Sequence, residues 1–273
     1  MQPVTALTIA GSDSGGGAGI QADLRTFSAF GVHGTCAVTA VTAQNTRGVV
    51  AVHQIPVDDV EAQIRAVVGD FDVRAFKTGM LAQPCTVERV ADLKRAGLLG
   101  PLVVDPVLVS TSGHSLMIDG GVEAYRDALI PLCDLVTPNL HEAALLCGVA
   151  VLDVRTPEDM AALGQLLLKL GAQHVLVKGG HALASPATQR HAPDLMLGPE
   201  GLTVFDAPRV DTRNDHGTGC SLASAVAAGL ALQRPLSDAV RDAKSFVLSA
   251  LEGARDWHLG AGHGPIDHLG WGQ

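Results

Sequence analysis

The chain has 273 residues, 47% of them hydrophobic and 17% charged. That is enough apolar material for one large α/β domain or two small ones, and it excludes a disordered polymer. A formal charge of −9, with no basic run beyond a residue or two, argues against a nucleic-acid or anionic-membrane surface, so an anionic ligand would need a local positive site.

Residues 4–10 form a short apolar, β-rich run ending at Gly11, the pattern of a buried parallel strand. The glycine-rich stretch 11–19 follows, with Asp13 inside it, and then an amphipathic helix over about 20–30 that carries Asp23. Strand, glycine loop, helix is the layout that places a ligand at the carboxyl end of a strand. Neither a phosphate-binding G-x-x-x-x-G-K-[ST] loop nor a clean G-x-G-x-x-G fits, so a dinucleotide fold is disfavoured. Asp23 reads either as a polar site residue or as an exposed first-turn residue.

Residues 33–42 and 49–55 predict two strands, with 44–48 a polar turn between them. Gln44 there offers a donor and an acceptor, the pattern that meets an aminopyrimidine edge, or else it is a simple turn residue. A helix over 57–68 and a strand over 73–77 come next. Met80, just past that strand, either lines a pocket or fills core. A helix over about 86–96 leads to the strand 101–106, which ends in Asp105. A carboxylate at the tip of a buried strand is costly unless partnered, so Asp105 is expected to face the site, near Mg²⁺. Residues 109–121 predict a loop over the site.

A helix near 121–132 precedes the strand and turn 134–139. Asn139 then opens a helix with Glu142 three residues on, either a capping box or a metal contact through water. A helix over 157–170 and a strand over 174–178 end in Lys178 ahead of two glycines, where a cation can neutralise phosphate. Residues 182–193 show no periodicity, and 194–197 with 202–206 predict a hairpin.

The stretch 212–220 is the chemical centre of the chain. Gly217, Thr218 and Gly219 precede a small-residue helix over 220–233, and a helix N-terminus offers unpaired N–H groups to an anion. Cys220, in the first turn, is expected to have its thiol pKa lowered by the helix dipole, which makes it a candidate base; the alternative is a small buried hydrophobe. A last helix over 236–255 carries Lys244, and residues 257–273, rich in Gly and His, predict a loose tail. Five scattered cysteines with no C-x-x-C pair predict a reducing, cytoplasmic setting, and the N-terminus carries no signal-peptide pattern. Alternating strands and helices predict a single domain over 1–273: a doubly wound, mostly parallel sheet with helices on both faces.

Seven blocks in order resemble one known family. They are 11–23, 44–46, 79–81, 105–107, 137–139 with Glu142, 178–181, and 216–220. The chain is similar over residues 4–268 to the hydroxymethylpyrimidine/phosphomethylpyrimidine kinases of thiamine biosynthesis, in the ribokinase superfamily. The resemblance implies a ribokinase-like fold, a homodimer, ATP and Mg²⁺, and a small-molecule substrate, 4-amino-5-hydroxymethyl-2-methylpyrimidine or its monophosphate. It implies Gln44 on the pyrimidine edge with Gly11, Asp23 and Met80 around the ring. It implies an anion hole at Gly217, Thr218 and Gly219, with Cys220 as base. Asp105 and Glu142 are then the magnesium residues, and Lys178, Lys244 and Asn139 the nucleotide and phosphate contacts. Thr111 and His114 stand where the family often has Lys and Asp, and Asp215 where it commonly has threonine. A pyridoxal kinase of the same superfamily is the nearest alternative, and a non-catalytic vitamin-precursor binder a remote one.

Overall fold

The computed structural model describes residues 2–108, 117–150, 156–180 and 190–272. Its strands are β1 (Thr5–Asp13), β2 (His33–Asn45), β3 (Gly48–Gln54), β4 (Val73–Thr78), β5 (Leu102–Val104), β6 (Leu135–Val136), β7 (Val175–Lys178), β8 (Asp194–Gly198) and β9 (Gly201–Phe205). The helices are α1 (Gly19–Ala29), α2 (Val57–Val68), α3 (Pro84–Arg95), α4 (Gly121–Ala124), α5 (Leu140–Cys147), α6 (Pro157–Lys169), α7 (Thr218–Ala231) and α8 (Leu236–Gly253). Among the described residues, all the strands join one sheet in the order β3-β2-β1-β4-β5-β6-β7-β8-β9. The strands from β2 to β7 are parallel, and both edges are finished by antiparallel strands.

Alternation along the inner strands divides the core in two. Leu7, Ile9, Phe76, Val104, Val136 and Val177 point to the face that carries α2, α3, α5 and α6. Ala6, Ala75, Val103, Leu135 and Leu176 point to the face that carries α1, α7 and α8. In the second set Ala6 and Ala75 are small, which lets the alanine-rich α7 lie close to β1 and β4. Gly229 of α7 in turn admits Ala239 of α8, since a Cβ there would stand 2.6 Å from the Ala239 Cβ.

Three local outcomes differ from the sequence reading. β2 runs on to Asn45 because β3 pairs with it antiparallel, so Gln44 is a strand residue and not part of a turn. The helix expected over 121–132 is α4 followed by a π-helical turn (Tyr125–Leu129) and a 3₁₀ turn (Ile130–Leu132), where Pro131 cannot donate to an α-helical ladder. The tail expected to be loose is docked. Asp267 N–H bonds Ala250 O, Gly264 O accepts from His216 N–H, and Asn214 Nδ2 reaches Ala254 O at 2.7 Å and Trp257 O at 2.9 Å. Ile266, Asp267 and His268 are buried, and His268 Nε2 lies 2.8 Å from Ser221 Oγ. Small and polar tail residues suit this because they bond to the backbone of α8 and the 213–216 turn instead of packing a core of their own.

On the α7 face the apolar pattern is broken by Thr8 and Lys77, register neighbours on β1 and β4. Lys77 Nζ donates to both Asp23 oxygens at 2.9 and 2.8 Å; Thr8 Oγ1 and Ser224 Oγ each donate to the same carboxylate at 2.6 Å. Both charged side chains are fully buried. Lys77→Met strips a fully buried carboxyl of its counter-ion, and is expected to cost about 3–5 kcal/mol of stability in urea unfolding. Adding Asp23→Leu to it should recover most of that loss, and a single-mutant loss below about 1 kcal/mol would mean the pair is not dry.

Candidate active site

The chain crosses from β1 to β2 on one side of the sheet and from β2 to β4 on the other, so the carboxyl ends of β1 and β4 part and leave a crevice. Two glycine turns meet over it. In the first, Asp13 is the centre of a nest: its Oδ1 accepts from Gly15 N–H at 2.8 Å and its Oδ2 from Gly17 and Ala18 N–H at 3.0 and 2.9 Å. Burial opposes the charged form, but the hydrogen bond from His216 and those from Ala18 and Gly15 outweigh it and hold the carboxyl below its ordinary range. The second turn abuts the first. Gly217 has φ +90°, and a Cβ on it would stand 1.9 Å from Gly17 O, so this position needs glycine for both shape and space.

From that turn α7 starts with no side-chain cap among the described residues; Thr218 N–H reaches Asp215 O at 3.4 Å, and the N–H groups of Gly219 and Cys220 are left for a ligand. Gly219 faces Lys178: a Cβ there would lie 3.1 Å from Lys178 Nζ and 3.9 Å from Asp105 Oδ2. Lys178, at the end of β7, donates to Asp105 Oδ1 at 2.8 Å, and Thr137 Oγ1 lies 3.2 Å from the same oxygen. Burial disfavours the ammonium, yet the Asp105 and Glu142 carboxylates outweigh it and keep Lys178 charged. An ammonium facing an uncapped helix N-terminus is a seat for phosphate oxygens.

Asn139 and Glu142 form the reciprocal capping box of α5, at 2.8 Å each way. Burial raises the Glu142 pKa to about 7; Lys178 opposes that rise, Asp105 adds to it, and the N–H groups of Asn139 and Leu108 oppose it. Among the described residues no three His, Cys, Asp or Glu side chains converge as a metal cage. Two carboxylates at a phosphate seat still suit Mg²⁺, which binds through one or two carboxylates plus substrate phosphate and water.

Several predicted residues stand differently from their expected roles. The Cys220 thiol is not lowered by its helix end: burial raises it to about 11, Lys77 opposes this, Asp23 and Asp105 reinforce it, and the Gly19 N–H bond offsets little. Asp23 is neither an exposed first-turn residue nor an open ring contact, because both its oxygens are engaged by Lys77, Thr8 and Ser224. Lys244 is held by Ala192 O and Asp194 Oδ2, both at 2.6 Å, and Asp194 also accepts from Gly179 N–H. Gly11 and Met80 are in contact: a Cβ on Gly11 would meet Met80 Cε at 2.3 Å, so the glycine makes room for the thioether. Gln44 lies beside His216, its side-chain amide 3.2 Å from His216 Nε2, with the amide nitrogen placed on that side before the hydrogen-bond partners are weighed. Asp215 pairs with His263 of the docked tail at 2.7 Å. Thr111, His114 and residues 182–189 of the predicted excursion lie outside the described residues.

The sequence reading gave no role to His216, Lys77 or Ser224. A lysine inside an apolar strand was the available sign for Lys77. His216 and Ser224 gained their partners only through folding.

The chain matches the Phosphomethylpyrimidine kinase family over residues 13–267. It is 48% identical to the hydroxymethylpyrimidine/phosphomethylpyrimidine kinase of Rhizobium meliloti, over 97% of this chain and 96% of that one. Among solved structures it resembles pyridoxal kinase from Staphylococcus aureus in complex with AMP-PCP and pyridoxal (TM-score 0.87, 33% identity, 99% of this chain and 95% of that one). It also resembles phosphomethylpyrimidine kinase from Clostridium difficile (TM-score 0.78, 38% identity, 91% of this chain and 99% of that one).

With its pKa near 11, Cys220 is a neutral thiol at pH 7. Its alkylation by iodoacetamide, read at the Cys220 peptide by mass spectrometry, is expected to rise about tenfold per pH unit from pH 7 to 9. A plateau by pH 8 would show the helix end prevailing over burial.

Proposed function

Because the chain belongs to the phosphomethylpyrimidine kinase family, we propose that it transfers phosphoryl from ATP to 4-amino-5-hydroxymethyl-2-methylpyrimidine and then to its monophosphate. The diphosphate formed serves thiamine biosynthesis. The observation that carries this reading is the phosphate seat: Lys178 over the uncapped N-terminus of α7, with Asp105 beside it.

Phosphoryl transfer asks a protein mainly to position two reactants and to stabilise charge on the migrating group. The Gly219 and Cys220 N–H groups of α7 and the Lys178 ammonium take the developing negative charge; Lys244, already bonded to Asp194 and Ala192 O, and Asn139, which caps α5, are the further nucleotide contacts of the proposal. Asp105 and Glu142 would hold Mg²⁺, which when bound would supply charge to neutralise the nucleotide phosphates. Gln44 reads the pyrimidine edge, with Gly11 and Met80 forming a wall beside the ring and Asp23 stiffening the floor from beneath. Cys220 accepts the hydroxymethyl proton. At pH 7 roughly one thiol in ten thousand is ionised when its pKa is near 11, so this step draws on a minor thiolate population. A raised thiol pKa means that turnover increases as pH rises toward it.

The same proposal includes a homodimer and a cytoplasmic setting. Val50 on the edge strand β3 is 80% exposed, which supports a second copy there; no helix among the described residues is long and apolar enough to cross a membrane. Phosphorylation of pyridoxal is the second reading, favoured by the high TM-score to the pyridoxal kinase.

A coupled ADP-release assay with the pyrimidine alcohol, its monophosphate and pyridoxal tests the proposal. The two pyrimidines are expected to give the higher kcat/KM, and no ADP release with any of the three would refute kinase activity. Cys220→Ser is expected to lower kcat by about 10²-fold or more at unchanged KM. Wild-type kcat should climb between pH 7 and 9, whereas a flat profile with an active serine variant would take Cys220 out of the proton transfer. Gln44→Ala is expected to raise KM for the pyrimidine while leaving that for ATP in place.

A further inference from the structure

His216 Nε2 meets two groups at once, Asp13 Oδ2 at 3.0 Å and the Gln44 amide at 3.2 Å. Asp13 is a carboxylate that already gathers backbone N–H groups, and it can only accept. His216 Nε2 therefore carries hydrogen. Whatever Gln44 atom stands beside that N–H has to be an acceptor, the amide oxygen. On the other side, Thr42 Oγ1 has one hydrogen, and it goes to Ser12 O at 2.8 Å. Thr42 thus turns a lone pair to the Gln44 amide atom 3.2 Å away, so the hydrogens are satisfied when the amide is turned by 180° from the placement that puts Oε1 there, with its NH₂ group toward Thr42.

Two separate hydrogen counts orient the amide the same way. The reverse, with Nε2 toward His216 and Oε1 toward Thr42, sets donor against donor and acceptor against acceptor. The backbone offers no other freedom here, because Ser14 Oγ donates to Gln44 O and accepts from Gln44 N–H, both at 2.8 Å. A 180° turn of the amide is the one ambiguity left, and His216 resolves it.

We propose that His216 is a positioning residue that sets substrate specificity: held as an Nε2 donor by Asp13, it fixes the direction of the Gln44 amide and so selects an aminopyrimidine edge over the aldehyde-bearing edge of pyridoxal. The inference rests on Gln44 as the ring reader. On these bonds the amide keeps one N–H and one oxygen lone pair side by side. An aminopyrimidine offers the complement, an amino N–H next to a bare ring nitrogen. Pyridoxal, superposed by its reacting hydroxymethyl, places its aldehyde oxygen, an acceptor, where the amino donor would stand, and the fixed amide oxygen repels it. An amide free to turn would accept either edge, and the discrimination would fall.

The test compares His216→Phe, which removes the donor, with His216→Gln, whose amide N–H keeps it. Kinetic constants are measured for ATP, the pyrimidine alcohol and pyridoxal, with pyridoxal read as a competitive inhibitor where its turnover is too slow. His216→Phe is expected to raise KM for the pyrimidine about tenfold with KM for ATP unchanged, and to cut the pyrimidine-over-pyridoxal ratio about tenfold. His216→Gln should restore most of that ratio. Equal losses on both alcohols, or KM for ATP rising in step, would overturn the proposal in favour of a merely structural loop contact. A pyrimidine KM unmoved by Gln44→Ala would bring down the ring-reader reading and this inference together. A raised KM in Gln44→Ala with an unchanged ratio in His216→Phe would bring down this inference alone. The folded wild type gives a further readout that needs no variant to fold: the ¹⁵N spectrum of histidine-labelled protein, assigned against His216→Gln. A proton on His216 Nε2 is expected, and a bare Nε2 would overturn the proposal.

Discussion

The fully buried pair of Lys77 and Asp23 is the constraint on which the rest of the α7 face depends. It joins four elements at one point: Lys77 from β4, Thr8 from β1, Asp23 from α1 and Ser224 from α7. Two charges taken out of water are tolerable only when nearly every lone pair and proton has a partner, and the two hydroxyls complete that set around the carboxylate. A shift of α7 along the sheet would break the Ser224 bond and leave the carboxylate short of one donor. The network therefore sets the position of α7, and with it the place of its N-terminal turn relative to the strand ends.

The same pair bears on the chemistry a turn away. Cys220 is raised by burial, with Lys77 pulling its pKa down and Asp23 pushing it up. Lys77 and Asp23 act on the thiol in opposite directions, and burial outweighs the lysine that would otherwise activate a nucleophilic cysteine. This suits a reaction in which the attacking alcohol needs little activation and the migrating phosphoryl group needs a great deal of charge stabilisation. The site puts its positive charge at Lys178 and the α7 N–H groups, where phosphate oxygens would gather.

The two glycine turns and the C-terminal tail are locked to each other by backbone contact. Asp13 gathers the amides of the first turn and meets His216 from the second, while a Cβ on Gly217 would run into Gly17 O and one on Gly17 into the His216 ring. His216 is tied by its own backbone to the tail through Gly264, and Asn214 holds the backbone near Trp257. Residues from the first, middle and last parts of the chain thus set one small crevice, and its rigidity comes from hydrogen bonds more than from apolar packing.

Much of this was legible in the chain itself. Hydrophobic periodicity placed nearly every helix and strand, because burial against two faces of a sheet dictates period 2 and period 3.6 patterns that local sequence must carry. The capping box at Asn139 and Glu142, the uncapped glycine turn before α7, and Asp105 and Lys178 at strand ends were likewise local signals. Gln44 was misplaced into a turn because nothing local announces a strand that lengthens only when a partner pairs with it. The tail was read as loose because its glycines and histidines have no periodicity; their partners are carbonyls on α8 and the 213–216 turn. Asp23 and Cys220 were misjudged for one shared reason. Whether a carboxylate meets a lysine 54 residues away, and whether a thiol at a helix end is wet or dry, depends on burial and on charges that only the folded chain brings together. The sequence by itself determined the elements, their order and the residue types available at the strand tips; the tertiary structure alone decided which of those charges neutralise one another and which face the crevice.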